Sequence, residues 1–204
     1  MKRPKHAVLL ASLIFGAGLA ASGLFSSAGF AESPQDKKNC FSEGSDDYKR
    51  REFYDTGLAS CTRLIAQRKG ASLAAAFASR GNWQEKKGNF DAALADLDRA
   101  VTIDPKNTFY YDYRADVWLD KGEIDKAISN YNQSIRIDPT YAAPYYSRGR
   151  AYEKQGDVAR AIESYRAALV PPRTRKVAAE VRIQEWAQRN AEKRLKELES
   201  QSPK

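Results

Sequence analysis

The sequence predicts an all-α protein built as an array of helical hairpins, and three recurrences carry that prediction. Gly88-Asn89-Phe90-Asp91-Ala92-Ala93 returns as Gly122-Glu123-Ile124-Asp125-Lys126-Ala127 and again as Gly156-Asp157-Val158-Ala159-Arg160-Ala161, in steps of 34 residues. Ile103-Asp104-Pro105 returns as Ile137-Asp138-Pro139 at the same step. Arg80-Gly81, Arg114-Ala115 and Arg148-Gly149 keep it as well.

The chain opens on a basic stretch, Met1 to His6, followed by 25 uncharged residues from Ala7 to Ala31. The apolar part is densest over 7–21, and small residues take over before Glu32. A positive head, a short apolar run and a small-residue end describe a secretory signal peptide, with cleavage expected after Ala31. An uncleaved anchor is the competing reading, because 25 uncharged residues could span a bilayer. Cleavage places the product in the periplasm or outside the cell. It also removes His6, the single histidine. Ser-His-Asp and Cys-His catalysis and imidazole-dependent zinc sites then drop out. No pair of carboxylates is singled out by spacing. The expectation is a non-enzyme without metal or cofactor.

Segment 32–73 holds both cysteines, Cys40 and Cys61. An oxidising compartment favours joining them, closing a loop of about 20 residues worth roughly 3 kcal/mol in chain entropy. Two buried thiols are the alternative, since Cys61 sits on the apolar side of an expected helix. The pair lacks the Cys-x-x-Cys spacing of redox-active sites.

Each 34-residue unit reads as two helices. The first ends at a Gly, which accepts the left-handed conformation of a helix C-terminus. The second stops at Asp-Pro, because Pro disfavours helical geometry in the residue before it. Gly81, Ala115 and Gly149 are small where the first helix approaches the second, as are Ala93, Ala127 and Ala161 in the second. Phe77, Tyr111, Tyr145, Leu97, Tyr131 and Tyr165 supply the bulk.

At these residues the chain resembles a tetratricopeptide repeat protein, with repeats at 74–107, 108–141 and 142–175. The resemblance implies a right-handed α-solenoid and partner binding as a class of function. Two departures stand out. Arg80, Arg114 and Arg148 occupy the position where Leu is usual, and the third unit runs into Val170-Pro171-Pro172 in place of Asp-Pro, so that its second helix is expected to end early. Upstream, Leu58 to Ile65 aligns with Leu94 to Val101 as the second helix of a degenerate half-repeat, two residues out of phase. The Cys…Cys-Thr-Arg-Leu-Ile arrangement resembles exported repeat proteins of alphaproteobacteria. Residues 173–199 read as a long charged helix bearing Trp186 and Leu195, and region 176–204 serves as the C-terminal cap and tail.

Charge placement narrows the partners. Beyond the leader, residues 173–204 hold nine basic and five acidic residues, whereas 32–172 is nearly balanced, with 22 against 21. No basic stripe interleaved with aromatics marks a nucleic-acid groove. The tail could touch acidic lipids or polymers, or be a solvated helix.

In the family resembled, the first helices line a concave face on which positions two, five, nine, twelve and thirteen meet a ligand. Carried over, the candidate partner-binding residues are Asn82, Lys86, Phe109, Asp112, Asp116, Asp120, Tyr146, Arg150 and Lys154. Asp112, Asp116 and Asp120 fall four apart and form one acidic stripe. A groove for a peptide is one reading; pairing of Asp116 with Arg150 and of Asp120 with Lys154 across neighbouring repeats is the other. A carboxylate clamp for chaperone C-termini is not expected, since of Ala78, Asn82, Tyr113, Ala143 and Ser147 only Asn82 fits. The sequence therefore reads as an envelope scaffold binding a protein or peptide. The alternative is a self-assembling structural subunit that docks through its C-terminal helix.

Overall fold

The computed structural model describes residues 33–41, 51–170 and 178–201. The leader, residues 1–31, lies outside them. Among the described residues every regular element is helical: α1 (Pro34–Phe41), α2 (Arg51–Ile65), α3 (Gly70–Lys86), α4 (Phe90–Ile103), α5 (Thr108–Asp120), α6 (Ile124–Ile137), α7 (Ala142–Gln155), α8 (Val158–Ala168) and α9 (Ala178–Gln201). None is long and apolar enough to cross a membrane.

The helix ends fall where local chemistry puts them. Gly88, Gly122 and Gly156 close α3, α5 and α7 at φ of 78°, 85° and 83°, a region closed to most side chains. Asp104 and Asp138 end α4 and α6 outside the helical region, at φ −135° and −138°, each held there by the following Pro. Asn107 then caps α5, accepting a hydrogen bond from the Phe109 amide at 3.1 Å. Without an Asp-Pro stop, α8 is 11 residues long against 14 for α4 and α6. Helix α3 begins at Gly70, four residues before the 34-residue register, and α9 begins at Ala178.

Consecutive helices pack as antiparallel neighbours around four linked apolar clusters. Leu97, Tyr131 and Tyr165 are wholly buried, as are Ala93, Ala127 and Ala161. A Cβ on Gly149 would lie 2.5 Å from the Tyr165 ring, so only a glycine allows this approach of α7 to α8. At the N-terminal end, Cys40 and Cys61 are joined with their Cα atoms 4.8 Å apart. The Trp83 indole N–H donates to the Cys40 carbonyl at 3.0 Å. Helix α1 is thereby held over α3.

The order of helix contacts settles the curvature. Helices α1, α3, α5, α7 and α9 touch in succession, whereas no contact joins α4 to α6 or α6 to α8 among the described residues. First helices crowd together and second helices splay apart. An array built this way is a solenoid with α3, α5 and α7 on its inner side and α9 standing where a further first helix would.

A candidate binding surface on the inner helices

The outer side is closed chemically. Arg80 donates from Nε and Nη2 to the two carboxylate oxygens of Asp96 at 2.7 Å each, and from Nη1 to Thr62 at 3.2 Å. Arg114 donates to Asn130 and Asp98, both at 2.7 Å; Arg148 donates to Ser164 at 3.2 Å and Asn132 at 2.6 Å. One guanidinium thus ties its own second helix to the preceding one in every repeat. Each also lies over the aromatic ring three residues earlier, Phe77, Tyr111 or Tyr145. A second ladder pairs Lys87 with Asp55 and Lys121 with Asp91, and Gln155 donates to Asp125 at 2.8 Å. The contacts reaching α2 span 18 and 32 residues where the others span 16 and 30. The contacts to α2 are thus offset by two residues from those between the later hairpins.

The inner side is different. Lys86, Asp120, Arg150 and Lys154 are exposed, and no salt bridge or hydrogen bond engages them among the described residues. Asp116 does not pair with Arg150. Its Oδ1 instead accepts a 2.6 Å hydrogen bond from the Tyr131 hydroxyl, which reaches across from α6. The expected pairing of Asp120 with Lys154 is likewise absent among the described residues. Asp112 is only 5% exposed, more deeply covered than a residue at a groove surface would be. Burial pushes its carboxyl well above the ordinary range, with Asp116 adding repulsion. Burial also raises Asp116 to about 6, against the Tyr131 hydrogen bond and the nearby Arg150 charge. Glu85, on α3, is raised to about 7 by burial and then by Asp116.

The aromatic candidates are partly committed to the fold. Phe109 meets Tyr141 edge-on at 5.1 Å between centroids, fastening α5 to the start of α7. Tyr146 packs against Tyr165 at 5.8 Å and edge-on against Trp186 of α9 at 5.2 Å, leaving Trp186 48% exposed at the C-terminal end of the face. Asn82 is half-buried on α3. By its place in the repeat Tyr131 reads as core alone. The signal for its second role was a hydroxyl at the repeat position where Leu97 stands. Gln184, which no sequence pattern marks, accepts from the Ala142 amide at 2.8 Å and so docks α9 on the start of α7. Beside that junction an open pocket of about 410 Å³ is lined by Asp104, Asn107, Phe109, Asp138 and Glu180.

Comparison with known proteins agrees with this geometry. Residues 74–107 and 145–169 match tetratricopeptide repeat models, and residues 115–156 match a TPR repeat model. The crystal structure of MamA protein is similar at 26% identity and TM-score 0.52, over 57% of this chain and 63% of that one. The first TPR of Spaghetti (RPAP3), solved bound to the HSP90 peptide SRMEEVD, is 19% identical at TM-score 0.53, over 65% of this chain and 97% of that one. TTC0263, a thermophilic TPR protein of Thermus thermophilus, is 22% identical at TM-score 0.51, over 58% and 66%. The chain thus spans less than two thirds of the MamA chain that it matches. No curated protein matches it.

Proposed function

We propose that this chain, through the tetratricopeptide repeats it carries, is a non-catalytic interaction scaffold of the bacterial cell envelope, holding a protein or peptide segment on the face lined by α3, α5 and α7. The supporting observation is the contrast between the two sides. Outer charges sit in repeating ladders, whereas Lys86, Asp120, Arg150 and Lys154 on the inner side form no salt bridge or hydrogen bond among the described residues. Charges kept solvated on the inner row and consumed on the outer one are what recognition of an extended ligand requires. The Spaghetti domain, of the same fold, carries its peptide as an HSP90 segment. In this reading residues 1–31 are a cleaved export signal, and Cys40–Cys61 is an oxidised staple suited to the envelope.

The test is reversal of the exposed rim, Asp120→Lys with Arg150→Glu and Lys154→Glu, in affinity capture from cell envelopes. A partner held by wild type and lost by a variant of unchanged melting temperature supports the inner face; equal capture by both refutes it. Exposed Trp186 favours a second reading, self-association through α9. In that case Trp186→Ala abolishes a concentration-dependent increase in sedimentation coefficient, and a monomer at all concentrations rules it out.

A further inference from the structure

Helix α9 is tied to α7 at three levels. Gln184 accepts from the Ala142 amide, the Trp186 ring meets Tyr146 edge-on, and Arg194 donates to Glu153, the partners being 42, 40 and 41 residues apart. The two helices therefore run side by side in one direction. That register sets Arg150 of α7 level with the turn of α9 from Arg189 to Lys193, and Lys154 one turn further on. Trp186, Arg189 and Lys193 follow at spacings of three and four, so they share one strip of α9.

Trp186, 48% exposed, is the most exposed aromatic among the described residues. Arg150, Lys154, Arg189 and Lys193 are exposed around it, and among the described residues none forms a salt bridge or hydrogen bond. The acids of the same two helices are otherwise engaged: Glu153 and Glu197 with Arg194, Glu192 with Lys196, and Glu199 with Arg166. Glu180 is engaged as well, which leaves Glu185 as the one exposed acid without such a contact among the described residues. Four uncompensated bases thus stand against one acid, around a fixed ring.

We infer that this edge holds an acidic stretch of the bound segment. An apolar side chain lies on the Trp186 ring, and carboxylates beside it reach Arg150 and Lys154 on α7 and Arg189 and Lys193 on α9. The inference rests on the inner face being the binding surface, and adds which end anchors the ligand and by what chemistry. It lies partly on the capping helix and involves none of the five clamp positions. Trp, Tyr and Arg dominate the energetics of protein interfaces, and a ring already braced by Tyr146 loses little freedom when a partner covers it. The bases add selection, since guanidinium groups take carboxylates two hydrogen bonds at a time and repel a basic partner. A bilayer fits less well, because a ring half covered by its own fold projects too little to enter one.

Fluorescence anisotropy on the full chain tests this with the labelled peptide Glu-Glu-Phe-Glu-Glu-Leu-Glu-Glu amide. The counter-probes are the same peptide with Lys for every Glu, and with Ser for Phe and Leu. The first should bind, and each counter-probe should bind at least about tenfold more weakly. Trp186→Ala should weaken binding by about tenfold, as should the pair Arg189→Gln with Lys193→Gln. The pair alters exposed side chains only, and is the check should Trp186→Ala loosen α9. The net charge of +8 attracts any acidic peptide, so Lys38→Gln with Lys69→Gln, exposed bases at the N-terminal end, removes equal charge elsewhere. That control should keep affinity within about twofold.

Equal losses in the two charge pairs, preference for the Lys peptide, or indifference to Phe and Leu each overturns the inference. So does a dimer that Trp186→Ala dissociates and the acidic peptide leaves intact. Binding to phosphatidylcholine–phosphatidylglycerol vesicles that Trp186→Ala abolishes, with no peptide bound, overturns it in favour of a lipid surface. Envelope capture separates the two readings. A partner lost in the rim-reversal variant but fully kept by Trp186→Ala and by the Arg189–Lys193 pair overturns this anchor and leaves the inner face standing. A partner kept by the rim-reversal variant refutes both.

Discussion

Arg114 shows how one substitution relative to the expected repeat pattern becomes a structural device. A Leu there would bury in its own hairpin; the guanidinium instead spans three helices, donating to Asn130 and Asp98 and covering Tyr111. Asp98 is 63% exposed, so solvent screens that arm, and the two hydrogen bonds together are worth about 1–2 kcal/mol. Arg114→Ala should lower the melting temperature by roughly 3–6 °C in calorimetry. The inner carboxyls carry a second prediction at this scale. Glu85 and Asp116 have folded-state values raised to about 7 and about 6, so the folded chain binds their protons more tightly than the unfolded chain does. Their contribution is complete below about pH 4 and is lost as pH rises through 6 and 7. Exposed acids held low by partners, such as Asp36 and Asp157, finish titrating below that range. Melting temperature should therefore fall by about 3 °C or more between pH 5 and pH 7.5, and Asp112→Asn should shrink that fall.

Between helices, the third hairpin is the most tightly constrained. Gly149 faces the Tyr165 ring, whose hydroxyl donates to Glu153 at 2.8 Å, while Glu153 accepts from Arg194 of α9 at 2.7 Å. The ring cannot swing aside without releasing that chain of contacts. Gly149→Ala should cost about 1–3 kcal/mol by overpacking. Gly81→Ala should cost less, because its new methyl would meet Leu97 Cγ at 3.0 Å and the Ala93 carbonyl oxygen at 3.1 Å, a milder overlap than the 2.5 Å at the Tyr165 ring. Urea denaturation of the two variants side by side checks the ranking. Helix α9 is more than a polar lid: Gln184, Arg194 and the Tyr146–Trp186 contact make it the last member of the inner row.

For the whole molecule, neighbour-only contacts mean that stability accumulates along the array and is weakest where neighbours run out. The N-terminal end answers this with α1, Trp83 and the Cys40–Cys61 link. Thiol titration of denatured, unreduced protein purified under oxidising conditions should find no free cysteine. Reduction should lower stability by about 3 kcal/mol, with hydrogen exchange rising first in α1 and α2 and last in α5 to α7. Retained protection of α1 after reduction would contradict the staple.

The helical class, the 34-residue hairpin and the early end of α8 are legible in the sequence because they rest on local chemistry: Gly at a left-handed turn, Pro after a non-helical Asp, small residues opposite large ones at fixed spacing. The two-residue offset of the α2 contacts follows the register at which Leu58 to Ile65 aligns with Leu94 to Val101. The identity of the inner row is legible only through resemblance; the structure supplies its cause, since successive first helices touch and second helices do not. Which charges pair was decided in three dimensions. Asp98 lies sixteen residues from Arg114 and on another hairpin, and Asp116 accepts from the Tyr131 hydroxyl of α6 in place of a salt bridge with Arg150. Burial of Asp112 belongs to the same level. Helical periodicity tells which face a side chain occupies, but the depth of that face is set by the helices that close over it.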